Sequence, residues 1–247
     1  MTHTEFEALD RLEETLWWFV GMRRISDALL AGRRAPGLRI LEAGCGAGFN
    51  TLDLTRRYGW QVFPTDRSAD ALEFSRRRGL ERLAQADVTA LPYADSSFDA
   101  VTCFDVLVML EPERAAAAVA EFRRVLRPGG FLLLRTAALE SLRGHHSVVQ
   151  AEKRRYRCRE VEDMLQRAGL PAVRSTYALF LLFPLVWLKR RVLEPLRLVK
   201  LENDVSPTAP WLDFLFRQTL RLEAGLLSAG LRLPIGASIV ALAVKPE

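Results

Sequence analysis

The chain has few cysteines and no long apolar run. Its 247 residues include only Cys45, Cys103 and Cys158, and an odd number of cysteines at unpaired spacings does not make a disulfide framework. Because no apolar leader opens the sequence, we expect a reducing, cytoplasmic environment. The longest apolar run, 177–188, is shorter than the roughly 20 residues of a membrane helix and contains Pro184, so no transmembrane segment is predicted.

The chain also lacks a concentrated charge of one sign. Its 35 lysines and arginines are offset by 30 acidic residues, which leaves a formal charge of +5, and the arginines are scattered over several predicted helices. Its three histidines and three cysteines do not have the spacing of a zinc site. We therefore expect neither a nucleic-acid partner nor a metal.

What the chain has instead is an alternation of short apolar runs with longer segments of helical period. This alternation is typical of an α/β fold in which a mostly parallel sheet is covered by helices on both faces, a doubly wound arrangement. Strands are predicted at 39–43, 60–65, 82–86, 99–104, 131–136, 173–178 and 238–244.

The predicted helices divide the chain further. One helix is expected over 4–31 and another over 112–126, where Pro128 and two glycines end it. Two more, 181–200 and 211–231, fall between the last two strands. The predicted parts are an N-terminal helical cap (1–37), a core (38–180), a helical insertion or lid (181–236) and a final strand (237–247).

Three alternate glycines follow the first predicted strand and lead into a helix. Without a Cβ at Gly44, Gly46 and Gly48, the backbone can approach a ligand closely. A dinucleotide fingerprint needs its third glycine where this chain has Phe49, and Glu42 would repel a pyrophosphate, so NAD is disfavoured. An ordinary tight turn is the alternative interpretation.

An adenosyl sulfonium suits the same loop better. Its positive sulfur and its ribose hydroxyls favour acidic neighbours, for which Glu42 and Asp66 are placed, and the loop amides can bind its carboxylate. Asp66 ends the second predicted strand 20 residues after Gly46, the spacing at which a carboxylate reaches a ribose in this topology. We therefore predict that Asp66 binds the ribose.

Five motifs carry a family resemblance. They are 41–48, Asp66, 86–93 (Ala-Asp-Val-Thr-Ala-Leu-Pro-Tyr), 97–99 (Ser-Phe-Asp) and 125–130 (Val-Leu-Arg-Pro-Gly-Gly). In this order, over 39–134, they resemble the class I S-adenosylmethionine-dependent methyltransferases, methyltransferase type 11. The resemblance implies S-adenosylmethionine as cofactor, S-adenosylhomocysteine as product, and a Rossmann-like sheet of seven strands whose last strand is antiparallel.

The resemblance also implies which residues bind the cofactor. In such enzymes the residue matching Asp87 bonds the adenine amino group, Val88 packs the ring, and Phe104 and Asp105 lie under the sulfonium. A helix cap is the alternative role for Asp87. The cofactor-binding residues predicted are Glu42, Ala43, Gly44, Cys45, Gly46, Gly48, Asp66, Arg67, Asp87, Val88 and Phe104.

Candidate catalytic residues are fewer. Methyl transfer needs orientation and, for some acceptors, the removal of one proton. Where many relatives carry Glu and His after the fourth strand, this chain has Val108 and Met109. The remaining ionisable candidates for a catalytic base are His146, as first choice, and then Tyr156 and Asp105. Alternatively, the histidine is only solvated or structural, and the tyrosine only packs its ring. The neighbouring His145 is also ionisable.

The acceptor is expected to be a small, apolar or lipid-like metabolite. The 177–200 segment joins an apolar stretch to Lys189, Arg190 and Arg191, which is typical of a lid, of a helix in peripheral contact with a membrane, or of a buried cap helix. Two other functions stay open, a non-catalytic cofactor-binding or partner protein and, less favoured, a nucleic-acid methyltransferase.

Overall fold

The core of the protein is one seven-stranded sheet with strand order β3-β2-β1-β4-β5-β7-β6. The computed structural model describes residues 3–30, 32–144, 147–148, 150–196, 198 and 208–247. The strands are β1 (Arg39–Ala43), β2 (Gln61–Asp66), β3 (Ala84–Gln85), β4 (Phe98–Phe104), β5 (Leu126–Ala137), β6 (Ala172–Ala178) and β7 (Ser238–Val244). Strands β1 to β5 pair in parallel, whereas β7 runs antiparallel to both β5 and β6. The predicted fold class and the antiparallel last strand are confirmed.

Helices cover both faces of this sheet. Within the described residues they are α1 (His3–Leu12), α2 (Trp17–Leu29), α3 (Phe49–Tyr58), α4 (Ala69–Arg77), α5 (Pro112–Val125), α6 (Cys158–Arg167), α7 (Phe183–Leu188) and α8 (Pro210–Ser228). No helix in this part of the chain combines the length and the apolar character needed to cross a membrane.

Two apolar layers hold the helices to the sheet. On one face Ile25 of α2 and Leu220 of α8 pack with Ile40 of β1. On the other, Leu41 of β1 packs with Phe122 of α5. Because neighbouring residues of β1 are buried on opposite faces, the strand reads as a continuous apolar run, as expected for a parallel strand covered on both sides.

The single helix predicted over 4–31 was wrong. The chain forms α1 and α2 with a turn between them, and the side chain of Glu13 in this turn accepts a hydrogen bond from Phe49 N at 2.9 Å. This contact joins residues 36 positions apart, so local periodicity carries no sign of it. Tertiary structure therefore overrides helix propensity here.

Other boundaries also differ from the prediction. Strand β3 is only two residues long, and β5 begins at Leu126, earlier than expected, with Gly129 at φ +74° inside it. In the insertion, α7 continues into a π-helical turn over Lys189–Leu193, and the predicted helix end at Lys200 lies outside the described residues. The helix expected over 211–231 is α8, which ends at Ser228.

Candidate active site

A cavity of about 1160 Å³ opens at the carboxyl ends of the parallel strands. We call one side of it the cofactor wall, formed by Gly44, Cys45, Gly46, Asn50, Asp66, Arg67, Ser68, Ala86, Asp87 and Val88. We call the other side the acceptor wall, formed by Trp17, Trp18, Arg135, Ala137, Glu152, Lys153, Arg155, Leu179, Leu182, Leu185, Val186, Lys189, Arg190, Phe216, Ala237 and Ser238. Phe104 and Asp105, at the end of β4, lie where the two walls meet.

The glycine loop has a conformation that side chains would not tolerate. Gly44 has φ +83° and Gly48 has φ +89°, in the left-handed region that favours glycine. A Cβ on Gly44 would overlap the side chain of Val106, and one on Gly48 would lie 2.6 Å from Ser75 Oγ. The loop is therefore packed against its neighbours and leaves its inner backbone facing the cavity.

Asp66 joins the end of β2 to this loop. Its Oδ2 accepts a hydrogen bond from Gly46 N at 3.1 Å, and its Oδ1 accepts one from Ser68 N at 2.9 Å. Burial raises the pKa of its carboxyl above the usual value, although these backbone hydrogen bonds act in the opposite direction. The structure thus places Asp66 beside Gly46 on the cofactor wall.

Asp87 caps a turn and lines the cavity at the same time. Its Oδ1 accepts hydrogen bonds from Thr89 N at 2.9 Å and from Thr89 Oγ1 at 2.7 Å, and it forms an ion pair with Arg114. Burial raises the pKa of its carboxyl, but the bonds from Thr89 and Arg114 outweigh burial and keep the pKa below its usual value. Val88 and Arg67 also line the cofactor wall.

Three of the predicted cofactor residues, Glu42, Ala43 and Gly48, do not line the cavity. Glu42 lies buried beneath the loop, where Thr51 Oγ1 donates a hydrogen bond to its Oε2. Burial raises the pKa of Glu42 to about 8. A carboxyl that is mostly protonated at neutral pH offers little negative charge, so the electrostatic role expected for Glu42 does not follow from its position.

The structure separates the catalytic candidates. Asp105 lines the cavity with φ +58° and forms an ion pair with Arg135. Tyr156 lies buried outside the cavity lining, where its hydroxyl donates to Leu107 O at 3.3 Å and burial raises its pKa. His145 and His146 lie outside the described residues, so the role predicted for His146 stays a prediction.

The sequence analysis missed Arg135. This residue of β5 has a side chain that is 5% exposed, and its Nε donates to Asp105 Oδ2 at 2.7 Å. Its guanidinium lies 4.9 Å from the ring centroid of Trp18 and 4.8 Å from that of Phe104. An arginine directly after three leucines in a predicted buried strand is the signal that could have revealed it.

Glu13 was missed as well. Its buried carboxylate lines the cavity, accepts the hydrogen bond from Phe49 N at the start of α3, and lies 3.4 Å from Arg78. Burial raises the pKa of Glu13 to about 7, while Arg78 and the hydrogen bond act in the opposite direction. Since the partner is far away in sequence, no local signal points to this contact.

The described part of the chain has no group of three His, Cys, Asp or Glu side chains placed to hold a metal ion. Its site chemistry consists of a glycine loop, carboxylates at the ends of β2 and β4, and an aromatic wall. This set suits a ligand that is bound by backbone amides and carboxylate groups, such as an adenosyl sulfonium.

Comparison with known proteins matches the central part of the chain to methyltransferases. A family model described as "Methyltransferase domain" matches residues 41–134. A malonyl-[acyl-carrier protein] O-methyltransferase of Enterobacter lignolyticus strain SCF1 is 39% identical over 124 residues, 49% of this chain and 47% of that protein. A demethylmenaquinone methyltransferase of Mycobacterium sp. strain KMS is 37% identical over 100 residues, 40% of this chain and 41% of that protein.

The whole chain also resembles a solved structure. Phosphoethanolamine N-methyltransferase 2 of Haemonchus contortus, in complex with S-adenosyl-L-methionine, has a TM-score of 0.65 and 17% identity, over 100% of this chain and 58% of that one. At this identity the likeness shows the fold alone, and the chain spans about half the length of the curated relatives it matches. Residues 41–134 match a methyltransferase domain family, and the rest of the chain shares its fold with the solved structure alone.

Proposed function

We propose that this protein transfers a methyl group from S-adenosylmethionine to a small, apolar or lipid-like acceptor. One observation carries the proposal: a single cavity has a glycine loop with Asp66 on one wall and an aromatic, apolar surface with Trp17, Trp18 and Phe216 on the other. The two walls meet at Phe104 and Asp105, where a donor and an acceptor would lie side by side.

The cofactor wall fits an adenosyl ligand. Gly44 and Gly46 line this wall, and Asp66 has carboxylate lone pairs left for a ribose diol after its two backbone hydrogen bonds. Val88 and Asp87 both line this wall, and we assign the packing of the adenine ring to Val88 and the bond to its amino group to Asp87. S-adenosylmethionine, when bound, supplies a methyl group on a positively charged sulfur.

The chain's own contribution to the reaction is orientation. In-line transfer requires the acceptor atom, the methyl carbon and the sulfur to be collinear, which a shared cavity can impose. A neutral alcohol or amine acceptor also needs a base, for which we keep His146 as the candidate. His146→Ala should then lower turnover at least about a hundredfold at constant cofactor affinity.

The relatives support an acceptor of this class. Their names state that one methylates malonyl-[acyl-carrier protein] and the other demethylmenaquinone. In this chain the acceptor wall offers Leu179, Leu182, Leu185 and Val186 to such a substrate, and burying an apolar chain there is favourable by about 25 cal/mol per Å².

Calorimetric titration with S-adenosylmethionine, S-adenosylhomocysteine and NAD tests the cofactor, and transfer of labelled methyl to an acceptor panel tests the reaction. Micromolar binding of the adenosyl ligands without NAD binding, followed by transfer, supports the proposal. Adenosyl binding without any transfer would favour the non-catalytic alternative, which Val108 and Met109 keep open because they replace the expected polar pair.

We propose in addition that the acceptor reaches the cavity from a lipid surface. Leu185 and Val186 of α7 line the cavity, and Leu185, Trp187 and Leu188 of the same helix are exposed. The exposed Arg191 follows this helix. An indole and a leucine beside a cation match an anionic membrane interface. This arrangement supports the peripheral contact predicted for 177–200.

A further inference from the structure

The guanidinium of Arg135 has hydrogen-bonding capacity that the protein does not use. Only its Nε donates to another described side chain, Asp105, and neither Nη group donates a hydrogen bond to any residue that the structure describes. Arg155 on the same wall differs, because its Nε and Nη2 bond Glu152 and its Nη1 lies 3.5 Å from Ala138 O. Arg135 thus keeps donors for a ligand.

The neighbours of Arg135 hold it in one orientation. Asp105 fixes its Nε edge at 2.7 Å, and its guanidinium lies within 5 Å of the ring centroids of Trp18 and Phe104. Such contacts keep a planar cation in place. Because this buried arginine lines the cavity, its unused Nη donors border the space that a ligand would fill.

Arg135 keeps this capacity although its charge is already paired with one carboxylate. Asp105 binds its Nε, so the two Nη groups are the part of the guanidinium that can accept a further partner. S-adenosylmethionine, when bound, would add a positive charge to the cavity, and this favours an anionic over a neutral acceptor there.

Resting on the proposed function, we propose that the acceptor is an apolar carboxylic acid and that Arg135 binds its carboxylate. The fork of the two Nη groups matches a carboxylate in shape and charge. The apolar chain of the acid would lie along Leu179, Leu182 and Phe216. Arg135 then acts as a positioning and specificity-determining residue.

An acid acceptor also agrees with Val108 and Met109, two apolar residues that line the cavity where a polar pair was expected. A carboxylic acid is already ionised at neutral pH, so no proton has to be removed. One carboxylate oxygen, with Arg135 holding the group in place, forms a bond to the methyl carbon. The bond between sulfur and methyl breaks, its electron pair stays on sulfur as a neutral thioether, and the carboxylate becomes a methyl ester.

Head-group selectivity in binding tests this assignment. Decanoate, decanol and decylamine have alkyl chains of the same length and differ in the head group alone. We would titrate each of them into the protein saturated with S-adenosylhomocysteine. We expect decanoate to bind at least about tenfold more tightly than decanol, as for a hydrogen bond between charged groups. In Arg135→Gln this ratio should fall below about three.

Two variants separate recognition from a structural role. Arg135→Lys keeps the charge without the fork, so its preference for decanoate should be intermediate, and it serves as the test if Arg135→Gln does not fold. Arg232→Gln removes an exposed arginine outside the cavity and should leave the parent ratio unchanged.

Two results would overturn the assignment: equal binding of decanoate and decanol to the parent, or a parent-like ratio in a folded Arg135→Gln. The S-adenosylhomocysteine titration that precedes these measurements reports on the proposed function by itself. If it is silent, the methyltransferase proposal fails, and the head-group comparison can still be made with the protein alone.

Discussion

The two walls of the cavity are built in different ways. The cofactor wall comes from short, consecutive strand-to-helix turns within 44–88, whereas the acceptor wall joins residues from α2, β5, the segment after β5, the insertion and β7. The first wall can be read from local motifs because each strand end lies next to its own turn. The second exists only after distant segments have packed, so its chemistry became visible only in three dimensions.

This difference predicts that variants on one wall should leave the ligand of the other wall almost unaffected. Cofactor-wall variants should change binding of S-adenosylhomocysteine, and acceptor-wall variants should change binding of decanoate or decanol. Additive behaviour is expected for sites that share no contacts. Coupling between the walls would concentrate at Phe104 and Asp105, where they meet.

The largest effect is expected for Gly44→Ala. The new methyl group would overlap Val106 in a backbone of positive φ, so affinity for S-adenosylhomocysteine should fall at least about a hundredfold, or the chain should not fold. Adding Val106→Ala should restore part of the affinity, because it removes the overlap but not the backbone strain. Calorimetry measures the affinity of the single and the double variant for S-adenosylhomocysteine. Gly225→Ala is the control, because a Cβ on Gly225 would meet open space.

Asp66→Ala should have the next largest effect. Loss of the carboxylate removes the proposed ribose hydrogen bonds and the bond from Gly46 N, which is worth about 1 to 3 kcal/mol, or roughly five- to 150-fold in affinity for S-adenosylhomocysteine. Asp70→Ala, at a half-exposed position on α4, should bind like the parent. Parent-like binding by Asp66→Ala would remove Asp66 from the site.

Trp18→Ala tests the acceptor wall. Since Trp18 lines that wall and stacks on Arg135, its loss should weaken decanoate binding about tenfold, while S-adenosylhomocysteine binding should change less than about threefold. Trp211→Ala, at an exposed position outside the cavity, is the matched control. A larger loss of cofactor than of decanoate affinity would contradict the division into two walls.

Glu42→Gln should change how stability depends on pH. The pKa of Glu42 in the folded protein is about 8, above its ordinary value of 4.5, so the folded state keeps a proton that the unfolded chain releases. Stability therefore falls as pH rises from 4.5 towards 8, by at most about 1.4 kcal/mol per pH unit from this residue. Melting temperatures between pH 5 and 8.5 should fall less steeply in Glu42→Gln than in the parent.

The control for this pH dependence is Glu73→Gln, because the Glu73 side chain is 50% exposed. It should follow the parent curve. Parallel curves for Glu42→Gln and the parent would show that the buried carboxyl does not hold its proton in the folded state.

The smallest effect is expected at the exposed end of α7. Trp187→Ser should reduce co-sedimentation with vesicles of phosphatidylserine and phosphatidylcholine a few-fold, because an indole at the interface is replaced by a small polar group. Val173→Ser removes an apolar side chain exposed elsewhere on the surface and should bind as the parent does. Equal binding of all three proteins would contradict a lipid contact through α7.

The sequence by itself determined the approximate positions of the seven strands and the turns that form the cofactor wall. Strand β1 was predicted to the residue, and Gly44 and Asp66, predicted as cofactor residues, both line the cavity, because motif, turn and strand end adjoin one another along the chain. Periodicity and turn chemistry act over a few residues, which is why features of this size could be predicted.

Only the tertiary structure decided which side chains share a space. It put Glu13 against the start of α3, buried Glu42 beneath the loop, left Tyr156 outside the cavity lining, and set Arg135 between two aromatic rings. Each of these outcomes depends on contacts between segments far apart in sequence. Burial and charge pairing at such contacts determine pKa values and free hydrogen-bonding groups, and no local pattern encodes them.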